Sequence, residues 1–170
     1  MEIANFAVAI TYECDMNGSA ARFLQRLESF GRALAKLSEL VVLMSDRPEF
    51  AIFNAIESGL QMEMARESLI KRFEFTQELS WNLLKDYLLY QGETEVAGSR
   101  DVYRRALRLQ LIDSHLWLQM ILDRNISAHD YNDVRVAEIS GRILNDYYPL
   151  FIQLKDDMGR RANDIPEEDR

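Results

Sequence analysis

Apolar residues recur every three or four positions along most of this chain, the spacing that lines one face of a helix. Phe23, Leu27, Phe30, Leu34, Leu37 and Val41 make one such stripe. Leu69, Phe73, Thr76, Ser80, Leu83, Tyr87 and Tyr90 follow the same rhythm, with two small polar residues at the middle where another helix can come close. Ala137, Ile143, Leu144, Tyr147, Leu150, Phe151 and Leu154 make a third. Three prolines and seven glycines in 170 residues leave few interruptions, which favours long helices over a turn-rich β protein. The expected fold is all-α: an up-and-down bundle of four to five helices, its core built from the first, second and last.

Punctuation sets the expected boundaries. The first helix covers about Ala21 to Met44 and stops at Asp46-Arg47-Pro48, because proline disfavours helix at the residue before it. The second begins near Glu49, is strong from Gln61 to Gln91 and ends at Gly92. Thr94 to Ser99 read as a loop, with Ser99 as N-cap of a helix through Leu111. Ser114 or Asp113 caps the next helix, whose apolar positions are Leu116, Trp117, Met120 and Ile121. A last helix starts near Asn132 or Asp133 and runs to about Asp157, with a kink at Pro149. Phe6 to Tyr12 is apolar and β-prone, and Asn17 to Ser19 is a turn signal. The chain thus divides into a 1–21 extension of unknown role, a 22–157 helical domain and a flexible acidic 158–170 tail, frayed beyond Asp164. No period of 20–50 residues marks a repeat array.

Composition narrows the function classes. Hydrophobic residues make up 48% of the chain, enough for one sizeable core. Cys14 is the single cysteine, which excludes an internal disulfide and a cysteine-based zinc site. It fits a reducing cytosol, so a cytoplasmic location is expected. No apolar run approaches the roughly 20 residues of a membrane span, and the first residues lack the basic start of a signal peptide. A net charge of −8 argues against nucleic-acid binding by the whole surface. Locally the balance reverses: Arg100 to Gln110 holds four arginines and one aspartate, a net of +3. Arg100, Arg104 and Arg108 fall every four residues along one helical face. They are either a solvated face paired with acids or a stripe that contacts RNA phosphates.

The chemistry-bearing segment is RNISAHDY, Arg124 to Tyr131. Arginine is a permanent cation whose planar fork suits a phosphate. Histidine has the unperturbed pKa closest to neutral pH. Together they can hold a phosphoryl group and move a proton. The plain alternative is that Arg124 pairs with Asp123 or Asp130 and His129 packs. Five residues of unbroken α-helix would set Arg124 and His129 about 140° apart. Asn125, Ser127, Asp130 and Asn132 are turn and cap formers, so the helix is expected to end near Asn125 and the two side chains can converge. His115, beside Trp117, reads as a surface or cap residue. No glycine-rich phosphate loop, Ser–His–Asp pattern or Cys–His pattern is present, nor the Gly-Ser and paired aspartates of a nucleotidyltransferase.

Four blocks in order carry a resemblance: RFEFTQELSWNLLKDYL from Arg72, SRDVYRRALRLQLI from Ser99, LWLQMILDRNISAHDYN from Leu116 and YYPLF from Tyr147. From about Arg22 to Leu154 the chain resembles the nucleotidyltransferase substrate-binding proteins, or HepT-like proteins, of the HEPN superfamily. Arg-x4-His alone is a weak motif; with the following tyrosine and the upstream blocks it is fairly specific. The resemblance implies a dimerising helical bundle partnered with a minimal nucleotidyltransferase that acts as its antitoxin. In many members it also implies a metal-independent RNase toxin.

By that resemblance Arg124 stabilises charge on the phosphate and His129 transfers a proton. A homodimer supplies the second His129 that acid and base together require. Asn125 supports them by binding phosphate or orienting His129. Glu74 and Glu78 match acidic positions of the family block; they either orient His129, bind metal or pair with an arginine such as Arg124. Tyr131 matches the tyrosine to which the partner enzyme attaches AMP in one branch of the family; otherwise it is a packed aromatic. No cofactor is expected in this chain, and ATP and Mg²⁺ only for the partner. A noncatalytic subunit that presents a substrate to the nucleotidyltransferase is the alternative reading.

Overall fold

Two long helices dominate the computed structural model, α1 over Glu2–Ser45 and α2 over Glu57–Tyr90. The structure describes residues 2–45, 57–94, 96–127 and 133–169, with side chains over 18–45, 60–94, 96–125 and 134–168. The rings of Phe23 and Tyr87 lie 5.1 Å apart, Arg26 Nε donates to Asp86 at 3.0 Å, and Arg72 donates to the Lys36 carbonyl. Moving up α1 therefore moves down α2, and the pair is antiparallel. α3 covers Ser99–Arg108 and α4 Leu116–Ser127. α5 (Asp133–Arg142), a π turn (Ile143–Tyr147) and α6 (Tyr148–Asn163) follow one another without a break and form the last rod. Phe151 meets Phe30 edge-on at 6.2 Å and Arg161 donates to the Tyr87 hydroxyl at 3.2 Å, so this rod runs beside α2 and against α1. The five rods make the expected all-α up-and-down bundle, with no strand among the described residues.

The stripes read from the sequence are the core. Phe23, Phe30, Leu34, Leu37 and Val41 are buried on α1, as are Leu69, Phe73, Leu83 and Tyr87 on α2. Each large apolar side chain so buried contributes on the order of 1.5–3 kcal/mol. Trp117 joins the parts: its ring lies 5.3 Å from Tyr103 and 5.5 Å from Phe151. The two small polar residues of α2 also find their reason. Thr76 satisfies its hydroxyl on the Arg72 carbonyl at 2.7 Å. Ser80 meets the buried Tyr103 hydroxyl at 2.8 Å, which lets α3 seat its tyrosine against α2. Burial pushes that phenol above its usual pKa range, so it stays protonated.

Helix ends follow local chemistry. Gly92 has φ +86°, and its N–H reaches Leu89 while that of Glu93 reaches Leu88, both at 3.0 Å. This is the left-handed cap that closes a helix on glycine. Gln110 does the same for α3 at φ 55°: its N–H reaches the Leu107 carbonyl and that of Leu111 reaches the Ala106 carbonyl. Ser114 Oγ accepts from the Leu116 N–H and caps α4. Ser99, expected as an N-cap, is instead the first helical residue after Gly98, and no side chain caps that end.

Other expectations are corrected. Residues 6–12 and 17–19 are not β-prone and turn segments but part of α1, which passes straight through them. Once a helix is anchored, each added residue gains a hydrogen bond without a new nucleation cost. The last helix continues six residues beyond Asp157 to Asn163. Met158, Ala162 and Ile165 are buried, so the chain just past Asp164 is held rather than frayed. Leu116 is exposed. The expected break at Asp46-Arg47-Pro48 lies outside the described residues. No described helix is long and apolar enough to cross a membrane.

Candidate functional site

α4 buries Trp117 and Met120 and then, one turn on, a carboxylate. Asp123 is 1% exposed. Its Oδ2 accepts from Arg142 Nε at 2.7 Å and from the Tyr147 hydroxyl. Its Oδ1 accepts from Arg142 Nη2 at 3.1 Å and Gln119 Nε2 at 3.2 Å. Each oxygen thus receives two donors, which satisfies a buried carboxylate. The π turn makes this possible. Residues five apart on an α-helix point about 140° away from each other. A π turn closes on the fifth residue, as the Tyr148 N–H to Ile143 carbonyl bond shows, and so brings Arg142 and Tyr147 to one carboxylate. Pro149, which has no N–H to give, follows directly. The kink expected there takes the form of this wider turn. Burial first, then the bond to Asp123, raises the Tyr147 pKa above its usual range and keeps it a donor. The Asp123 bond likewise raises that of Arg142.

Arg124 comes one residue later, so helical twist carries it round to the surface. Its side chain is 44% exposed, and Nη2 lies 3.8 Å from Glu78 Oε2 on α2, itself 43% exposed. Glu78 is oriented by Asn82, whose Nδ2 donates to its Oε1 at 3.3 Å. Of the alternatives open for Glu78, an ion pair with Arg124 is present. Asp123 does not serve Arg124; it is committed to Arg142. Glu74, one turn before Glu78, is mostly buried and pairs with Lys71 at 2.9 Å. Asn125 is exposed beside Arg124. The helix runs two residues past its expected end at Asn125, to Ser127, so Arg124 stands in the last turn. His129, Asp130 and Tyr131 lie outside the described residues.

Arg100, Arg104 and Arg108 line the exposed face of α3. None of the three makes an ion pair among the described residues, so the stripe is not neutralised by acids there. Arg105, between them, instead pairs with Glu93. His115 is exposed in the turn before α4. No cluster of three metal-ligating residues occurs among the described residues. The sequence reading missed Arg142 and Tyr147. Their only signal was an arginine and a tyrosine five apart ahead of a proline inside a helix.

The chain's relatives share this architecture. A Haemophilus influenzae protein, HI0074, superposes with a TM-score of 0.65 at 26% identity, covering 78% of this chain and 98% of its own. Its structure is described as revealing the fold of a substrate-binding domain of a nucleotidyltransferase. A Thermus thermophilus protein superposes with a TM-score of 0.57 at 28% identity, covering 78% of this chain and 98% of its own. No curated protein sequence matches the chain. The family model described as nucleotidyltransferase substrate binding protein like matches residues 25–160, most of the chain and all of the core around Asp123. The chain therefore belongs to the nucleotidyltransferase substrate-binding-like family.

Proposed function

We propose that this chain works with a separate nucleotidyltransferase, and that its own chemistry is metal-independent RNA cleavage by Arg124 and His129 across a homodimer cleft. The observation that carries this is the split role of neighbouring residues on α4. Asp123 ties the helix to the last rod through three bonds from Arg142 and Tyr147, while Arg124 stands at the surface 3.8 Å from Glu78. A half-exposed guanidinium on a fixed backbone presents the planar fork that suits a phosphate. One His129 takes the proton from a ribose 2′-hydroxyl. The 2′-oxygen attacks the phosphorus, Arg124 holds the charge that builds on the phosphate, and the 5′-oxygen leaves with a proton from the partner copy's histidine. A 2′,3′-cyclic phosphate and a 5′-hydroxyl remain. Exposed Leu122 on α4 and Val134 on α5 flank this segment and support a second copy covering it. Arg100, Arg104 and Arg108 supply further phosphate contacts, and Asn125 supports Arg124.

The partner enzyme, with ATP and Mg²⁺, acts as antitoxin and silences the cleft by adding AMP to Tyr131. The added bulk and negative charge then sit beside Arg124. Growth and RNA integrity, with and without the partner expressed, test the pairing. Intact mass after incubation with the partner tests the modification: a gain of one AMP in the wild type and none in Tyr131→Phe is expected. A gain that persists in Tyr131→Phe places the acceptor elsewhere. The second reading, a noncatalytic subunit presenting substrate to the nucleotidyltransferase, is favoured by the description of the Haemophilus influenzae protein. It predicts no RNA loss in either expression.

A further inference from the structure

A hollow of about 390 Å³ opens between α1 and α2, lined by Arg26, Arg32, Lys36, Arg72, Phe75 and Leu79 among others. A second hollow of about 250 Å³ adjoins it, sharing Arg26 and adding Arg22. Phe75 is off the buried stripe of α2, and its residue is 62% exposed. It stands one turn before Leu79, so the α2 wall offers an aromatic ring and an aliphatic side chain. Facing them, α1 offers Arg32 and Lys36 one turn apart.

The cations already have acidic neighbours, but few of them. Arg26 pairs with Asp86, Arg32 with Glu28, and both Lys36 and Arg72 with Glu39. Arg22 bonds the Gly18 carbonyl and has no ion pair among the described residues. Over the two hollows five cations thus meet three acids, a local net of +2 on a chain whose net charge is −8. The side chains of Arg32 and Lys36 are each more than three-fifths exposed. Their present pairs are solvated and give way readily to a doubly charged anion.

We infer that this hollow binds a nucleotide unit, with its phosphate on Arg32, Lys36 and Arg72 and its base against Phe75. The volume is in the range of small-ligand clefts. A planar ring next to forked cations matches a phosphate carried on an aromatic base. Arginine takes the phosphate by paired hydrogen bonds, and an exposed aromatic ring gives any base a face to stack on. Neither a bare anion nor an apolar molecule would use both walls. The nucleotide can be free or can be the end of an RNA strand.

Titration calorimetry on the purified chain with AMP and with a 5′-phosphorylated decauridylate tests this and separates the sources. Saturable binding of at least one probe is expected. Binding of AMP alone assigns the site to a free nucleotide; decauridylate binding that the hollow's variants weaken assigns it to a strand end. The Arg32→Ala, Lys36→Ala double variant should weaken binding about tenfold or more. Phe75→Ala should weaken it at least about fivefold, the lower end for one lost base stack, and Phe75→Tyr should bind like wild type. These side chains are exposed, so the variants should melt as the wild type does. Absence of saturable binding at millimolar probe overturns the proposal. So does binding unchanged by these variants, or inorganic tripolyphosphate binding as tightly as AMP with no effect of Phe75→Ala. Since the readout is binding in this hollow, its failure leaves the RNA-cleavage reading untouched.

Discussion

Asp123 and Arg124 show how much one residue of helical twist decides. Asp123 is buried under four donors. Its replacement by alanine leaves Arg142 and Tyr147 without their acceptor and should cost about 3–5 kcal/mol, measured by urea denaturation. Tyr147→Phe removes one of the four bonds and should cost about 1–3 kcal/mol. Arg124→Ala should cost under about 1 kcal/mol, because its side chain is 44% exposed and pairs of solvated side chains contribute little. It should nevertheless abolish RNA cleavage, with Arg124→Lys a poor rescue because lysine lacks the fork. The two buried phenols add a pH dependence. Tyr103 and Tyr147 have folded-state pKa values above that of an unfolded tyrosine, about 10. The protonated form is the one the fold favours, so their stabilisation is complete below that pH and is lost as the pH rises toward the folded values. Denaturation at stepped pH should show stability falling above about pH 10, less steeply in Tyr103→Phe; equal slopes in the two proteins would contradict it. Arg124 was legible as a cation projecting from a helix end. Arg142 and Tyr147 as partners of Asp123 were not, because they lie 19 and 24 residues further on, where only the fold brings them.

Helix ends supply a paired test at the scale of the element. Gly92 and Gln110 occupy the same left-handed cap position, one with the residue that suits it and one without. Gly92→Ala should destabilise by about 1–2 kcal/mol, the cost of a Cβ in that conformation. Gln110→Gly should stabilise by a similar or smaller amount; thermal melts of the two variants, shifted in opposite directions, check both. Gly92 was readable because glycine is the usual cap. The end at Gln110 was expected only near Leu111, because no residue type announced it. The same contrast holds for the last rod. Pro149 signalled a disturbance, but the carboxylate on which the π turn brings Arg142 and Tyr147 together lies on another helix. The reading of residues 6–19 as strand-prone chain and turn failed for the complementary reason: a continuing helix overrides weak local preferences.

At the scale of the whole molecule, three–four periodicity was enough to read an all-α bundle and the composition of its core. Phe23, Phe30, Phe73, Tyr147 and Phe151 are all buried where the stripes put them. Periodicity says which face is apolar but not what covers an exposed one. Leu122, on the same helix as Arg124, and Val134, at the start of α5, remain at the surface, and the proposed homodimer covers them. Sedimentation of the purified chain should therefore give a dimer, and Leu122→Asp should shift it toward monomer with loss of cleavage; a wild-type monomer that cleaves RNA would remove the need for two copies. The most direct test of the account is cleavage of RNA by the purified chain in EDTA, compared across wild type, Arg124→Ala and His129→Ala. Cleavage by the wild type, leaving 2′,3′-cyclic phosphate ends, and none by either folded variant is the predicted result. Intact RNA with the wild type, or full cleavage by His129→Ala, would contradict it.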